Sequence, residues 1–153
     1  MNYKSIDRIK SVLSEQIHGY RTLIDLLQKE RESLINLKAG EIEAVSKEKD
    51  TVVLRLRLLD EERKRLIDLF SAEKTNPGTI TLQHLYEITG DDDLRNMRLQ
   101  LRSLLQSIEE LNAFNMILIG RSLSFINNSM NFLGSFGVDT EQKTTGVIFS
   151  REI

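Results

Sequence analysis

The sequence contains no cysteine and no tryptophan, a single proline, two histidines and only 6% aromatic residues. Without cysteine there is neither a disulfide nor a thiolate metal site, which fits a reducing compartment. His18 and His84 do not stand at ligand spacing with each other or with a Glu-x-x-His pair, so no metal centre is expected. No Gly-rich phosphate loop, nucleophile elbow or paired His and carboxylate pattern occurs, so the chain reads as non-enzymatic and without a cofactor. Asp91-Asp92-Asp93 lacks the glycine and distal glutamate of a calcium loop and reads as a helix cap.

Charge of one sign is lacking too. A net charge of −2 offers no bulk attraction to nucleic acid or anionic lipid. Arg63-Lys64-Arg65 directly follows Asp60-Glu61-Glu62, and no aromatics interleave for base stacking, so nucleic acid is not an expected partner. From Lys29 to Lys74 eleven basic side chains face eleven acidic ones, a solvated face of mixed charge. Met1 to Asp7 has no apolar core of a secretory signal, and the expectation is a cytoplasmic chain.

What remains is rich in Leu, Ile, Lys, Arg, Glu and Asp, the composition of long helices. Ile6, Ile9, Leu13, Ile17, Tyr20, Ile24 and Leu27 recur at steps of three and four and resume at Leu34. This predicts a helix over 5–38, capped by Ser5 and ended by a left-handed Gly40. Gly19 inside it costs about 1 kcal/mol against Ala and marks either a close crossing or a tolerated defect. A second seam, Ile42, Val45, Val52, Leu56, Leu59, Leu66 and Phe70, is interrupted by Lys49 and Arg63 and predicts a helix over 41–73. The connection between them is short, so the two should form an antiparallel hairpin. Thr75-Asn76-Pro77-Gly78-Thr79 is the clearest break. A short helix over 82–89 follows, ended by Gly90, and Asp91 or Asp92 caps a third long helix over 92–134. The fold class is therefore all-α: three long helices, two of them an antiparallel hairpin, and one short connecting helix. Residues 1–138 form a single domain, and 139–153 a mobile tail without helical period.

The third helix changes character partway. Its seam reads Leu94, Met97, Leu101, Leu104, Ile108, Leu111, Asn115, Leu118, Ser122 and Phe125. Between Glu110 and Asp139, 28 residues carry one charge, Arg121, and four of the six phenylalanines fall in this stretch. Asn115, Gly120, Arg121, Ser122, Asn127 and Asn128 interrupt it, which argues against a membrane span. A helix apolar on nearly all faces must be buried by something. Three occupants satisfy that requirement: another protein, a second copy of the chain, or the interior of the bundle. Clustered Met and Phe suit an adaptable binding surface. The candidate partner-binding residues are Phe114, Ile117, Leu118, Leu123, Phe125, Ile126, Met130, Phe132 and Leu133. Asn112, Asn115, Asn127 and Asn128 are candidates for polar contacts that fix register, and Arg121 for a contact at the rim.

These features resemble the FlgN-type flagellar export chaperones, small all-helical bacterial proteins. The resemblance is carried by three segments. The first is Leu27-Gln28-Lys29-Glu30-Arg31-Glu32-Ser33-Leu34-Ile35-Asn36-Leu37-Lys38-Ala39-Gly40-Glu41-Ile42. The second is Lys47-Glu48-Lys49 with the charged Leu59-to-Leu66 segment. The third is Leu111-Asn112-Ala113-Phe114-Asn115-Met116-Ile117-Leu118-Ile119 with Ser122-Leu123-Ser124-Phe125-Ile126-Asn127. Thr144-Thr145-Gly146 stands where members often carry Tyr before Gly. The resemblance implies a cytoplasmic protein that binds the terminal helices of hook–filament junction (hook-associated) proteins. It further implies delivery of them to the flagellar type III export apparatus, whose components are candidate partners; a homodimer in the absence of client is instead an expectation from the burial requirement of the apolar stretch. The alternative is a coiled-coil adaptor or structural protein that self-associates through the late helix.

Overall fold

The computed structural model describes residues 3–74 and 80–135. It has four helices: α1 Tyr3–Ile35, α2 Ala39–Glu73, α3 Leu82–Thr89 and α4 Asp92–Gly134. The break expected at 75–79 and the tail expected from 139 lie outside the described residues. Ser5, expected as the cap of the first helix, lies inside α1.

α1 is the central helix, with α2 and α4 packed along it. Its buried line runs Ile6, Ile9, Leu13, Gln16, Tyr20, Leu23, Leu27, Glu30 and Leu34, a strict alternation of three and four. That is the seven-residue repeat of a coiled-coil seam, which keeps one face of a helix on its neighbour over its whole length. The apolar spacing in the sequence had suggested Ile17 and Ile24 in this line. Ile17 is also buried, but Ile24 is only partly so, and the seam itself passes through Gln16 and Leu23.

α2 runs antiparallel to α1, as Arg8–Glu62, Arg55–Glu15 and Lys49–Glu30 pairs show. Midway the side chain of Leu56 packs directly on Gly19: a Cβ added there would sit 2.7 Å from Leu56 Cδ2. Gly19 therefore marks a crossing and not a tolerated defect. The hairpin turns differently from expectation. α1 stops at Ile35, Gly40 lies inside α2, and the left-handed residue is Leu37, with φ 52°. Lys38 N donates to Ser33 O and Leu37 N to Leu34 O, the paired bonds of a Schellman motif. These two bonds offset the ~1 kcal/mol or more that a residue with a Cβ loses in this conformation.

α4 runs parallel to α1. Lys10 bridges Asp91 at 2.6 Å and Asp93 at 3.1 Å, at the start of both helices. Asp91 is the N-cap, its Oδ1 accepting from Asp93 N at 3.0 Å. Burial pushes the Asp91 carboxyl up. The Lys10 ammonium and the N–H groups of Asp93 and Leu94 outweigh this and hold it below the usual carboxylate range. α3 packs on α4 and closes this end of the core with Leu82 and Leu85; it ends on Gly90 at φ 65°. Leu94, Leu101 and Ile108 carry α4 into the same core.

The charges in the seam of α2 are buried and paired. Arg63 is 1% exposed, and its guanidinium meets Asp60 at 2.7 Å. The Arg63-Lys64-Arg65 triplet is thus not a uniformly solvated face, because its first member belongs to the core. Beside it, burial pushes the Tyr20 phenol up to about 12; Asp60 adds to the shift and Arg63 opposes it.

Candidate functional site: the apolar end of α4

The packed part of α4 ends at a polar layer. Asn115 is fully buried; its Nδ2 donates to Leu27 O at 2.8 Å and to Glu30 Oε1 at 2.9 Å. The other oxygen of Glu30 accepts from Lys49 Nζ at 2.5 Å. One residue from each long helix therefore meets at this level, and every one of the three is shielded from water. Buried polar groups are tolerated when they satisfy one another, and such layers fix register. Asn115, a candidate for polar contact with a partner, spends its amide inside the bundle instead. No described residue of α4 after Asn115 is buried.

The reason is length. α4 has 43 residues against 33 in α1. Leu27 lies level with Asn115, so α1 reaches its end at Ile35 about level with Leu123 of α4. The turns beyond project past the hairpin by roughly 17 Å at ~1.5 Å per residue.

This places the candidates as follows. Phe114, Ile117, Phe125, Ile126, Phe132 and Leu133 are exposed, Phe125 at 63% and Phe132 at 69%. Leu118, Leu123 and Met130 are half-buried. Asn127 and Asn128 are exposed and Asn112 is half-buried. The exposed apolar side chains sort into lines spaced by seven: Leu118, Phe125 and Phe132 on one, Ile126 and Leu133 on another, Leu123 and Met130 on a third. Phe114 lies a turn earlier, at the wall of an open recess of about 340 Å³ between α1 and α4, with Ile24, Gln28, Arg31, Ser107, Glu110 and Leu111.

Two residues of this surface were not among the sequence candidates. Ile119 precedes Ile126 by seven, and Met116 is 37% exposed and precedes Leu123 by seven. The signal was present as a repeated heptad: Asn115-Met116-Ile117-Leu118-Ile119-Gly120-Arg121, Ser122-Leu123-Ser124-Phe125-Ile126-Asn127-Asn128 and Ser129-Met130-Asn131-Phe132-Leu133-Gly134-Ser135. Each begins with a small polar residue and carries large apolar residues at its second, fourth and fifth places.

The remaining exposed apolar side chains do not form a rival surface of this size. Leu54 and Leu58 on α2 form a pair one turn apart, Glu61, Glu62 and Arg65 separate them from Leu69, and small exposed groups of this kind are ordinary. No described helix is long and apolar enough to cross a membrane. Among the described residues no group of His, Asp or Glu is arranged to hold a metal ion.

Searches among curated proteins and among solved structures found no match. A family profile described as FlgN protein matches residues 1–139, which spans all four helices and the whole of the exposed stretch. The chain belongs to the FlgN family of flagellar export chaperones.

Proposed function

We propose that the protein is a cytoplasmic export chaperone that binds the terminal helices of hook–filament junction proteins through the exposed end of α4. It keeps those helices from assembling early and hands them to the flagellar type III export apparatus. Family membership supports the chaperone role. The observation that carries the choice of surface is the exposure of Phe125 at 63% and Phe132 at 69% beyond the end of the hairpin. Keeping such side chains in water forgoes ~1.5–3 kcal/mol each, which a bound helix returns. The terminal segments of coiled-coil cargo are amphipathic and need an apolar groove.

Phe114, Ile117, Leu118, Leu123, Phe125, Ile126, Met130, Phe132 and Leu133 would make the contact, with Asn127 and Asn128 at its edge. Titration of the purified chain with purified terminal segments of hook–filament junction proteins tests this. Replacing Phe125 and Met130 together by Ala should weaken binding by roughly tenfold or more, since large apolar anchors commonly cost ~1–4 kcal/mol when truncated. Unchanged affinity in that variant would remove α4 from the site. Sedimentation of the free chain at low concentration addresses the alternative of self-association, which requires a dimer.

A further inference from the structure

Past the end of α1, α4 keeps its register. α4 is buried at Leu94, Leu101, Ile108 and Asn115, a step of seven each time. α1 answers with its own alternation of three and four. The residues flanking this line, Leu104 and Leu105 among them, pack on the core of the hairpin. The next two positions in the same phase are Ser122 and Ser129. They are flanked by Leu118 and Ile119, Phe125 and Ile126, and Phe132 and Leu133. Ser122 stands level with Leu34 in the last turn of α1, so the surface that α4 shows to α1 continues past the end of α1 through Ser129 and the residues around it. Its centre line becomes small while its walls become larger, so the seam turns into a trough.

We infer that the occupant of this trough is a single foreign amphipathic helix that continues the line of α1 beyond the hairpin. Its bulky apolar residues lie over Ser129, between Phe125, Ile126, Phe132 and Leu133, and an acidic side chain at its end nearest α1 faces Arg121. The inference rests on the reading that the end of α4 is the client surface, and it adds the phase, the direction and the chemistry of what binds there.

Three observations choose this occupant. The first is continuity: the trough is in phase with an interface that already holds a helix, and coiled-coil packing propagates only in phase. The second is charge. Arg121 is the lone charge between Glu110 and Asp139. It lies on one side of the trough, seven residues after Phe114 and seven before Asn128, and no described residue forms an ion pair with it. A carboxylate on the partner would complete it. The third argues against a second copy of the chain. α4 offers Asn115, Ser122 and Ser129 along its own centre line, so two copies would set trough against trough. Within 111–138 there is also no acidic residue to meet Arg121.

The absence of cysteine makes a direct test possible. Four variants, Ser122→Cys, Ser129→Cys, Ser124→Cys and Asn131→Cys, each carry one thiol. The first two lie in the trough, and the others lie on the opposite side of the helix. The probes are a synthetic helical peptide with Leu at seam positions of a seven-residue repeat and Glu on the flanks, and a peptide of the same composition with the Leu residues spread around the helix. The seam peptide should slow alkylation at position 129 by roughly tenfold or more, slow it less at 122 beside the end of α1, and leave 124 and 131 unchanged. Arg121→Glu should weaken its binding and improve that of a peptide with Lys flanks.

Equal protection by both peptides, protection at 124 and 131, or no binding of the seam peptide would overturn the inference. So would protection of 122 and 129 in the chain alone that grows with its concentration, because the occupant would then be a second copy. Failure here is separable from failure of the client surface. If purified client segments still lose affinity with Phe125→Ala and Met130→Ala but shield 124 and 131, the surface stands and this geometry falls. If those variants bind clients normally, the surface itself falls.

Discussion

Lys49 of α2 donates to Glu30 of α1 with both side chains almost wholly out of water, and Asn115 of α4 donates to the second oxygen of the same carboxylate. This contact closes the apolar core at the level where the three long helices last meet. Beyond it α1 runs beside α4 for about two more turns, and past Leu123 the end of α4 projects beyond the hairpin.

A buried ion pair of this kind is strongly sensitive to losing one member. Glu30→Ala leaves the Lys49 ammonium buried without its acceptor and the Asn115 amide with Leu27 O alone, and it should cost ~3–5 kcal/mol in chemical denaturation. Replacing Glu30 and Lys49 together by Leu and Met should recover most of that loss, because the expensive feature is the unpaired charge. Equal destabilisation by the single and double variants would show that the pair itself holds the helices together.

Arg63 and Arg65 stand two residues apart in one basic triplet and should behave oppositely. Arg63 is 1% exposed against Asp60, whereas Arg65 makes bonds of 2.7 and 2.8 Å to Glu62 on the open surface. Arg63→Ala should lower stability by ~3 kcal/mol or more, whereas Arg65→Ala should leave it almost unchanged. Thermal unfolding of the two single variants checks this. Similar midpoints would contradict the assignment of Arg63 to the core.

Much of this architecture is legible in the sequence, and the exceptions have physical causes. The seam of α2 can be read from Val45, Leu56, Leu66 and Phe70, because apolar residues mark it at regular steps. The seam of α1 is displaced by one position where it runs through Gln16, since a polar residue gives no signal in an apolar pattern. Lys49 and Arg63 look like defects until the register of the hairpin brings Glu30 beside one of them, and register is a long-range property. The hairpin turn is missed because backbone hydrogen bonds at Ser33 and Leu34 stabilise a left-handed Leu37, where conformational preference alone would choose the nearby Gly40. The unusual end of α4 is visible because charge disappears after Glu110. Its extent beyond the hairpin is not visible, because that depends on where α1 stops.

Tyr20 gives the core a response to alkali. Its folded pKa is raised to about 12 against an ordinary value of 10.0, chiefly by burial. The neutral phenol is therefore favoured by folding, and this contribution is complete below pH 10.0 and lost as pH rises toward about 12. A shift of this size corresponds to roughly 2–3 kcal/mol across the window. Stability measured against pH should fall in that range, with tyrosinate absorbance of the folded protein delayed for one residue. Tyr20→Phe should flatten the fall. An unchanged alkaline profile in Tyr20→Phe would assign the pH response to other groups.

The two halves of α4 should separate in mutagenesis. Leu101 is fully buried among residues of the hairpin and α3, so Leu101→Ala removes packing and leaves a cavity, at ~2–5 kcal/mol. Phe125 and Phe132 are more than half exposed. Phe125→Ala and Phe132→Ala should change the unfolding midpoint by less than ~0.5 kcal/mol, the usual range for surface substitutions away from special features. The same variants should lose affinity for a client helix, because the side chains have been kept in water only until something covers them. Leu101→Ala should do the reverse, destabilising the bundle while leaving affinity per folded molecule near its original value. Circular dichroism melts and calorimetric titrations on the same three variants give both quantities. If Phe125→Ala and Phe132→Ala lowered the midpoint as much as Leu101→Ala, the late part of α4 would be core in solution and the docking surface would have to be sought elsewhere.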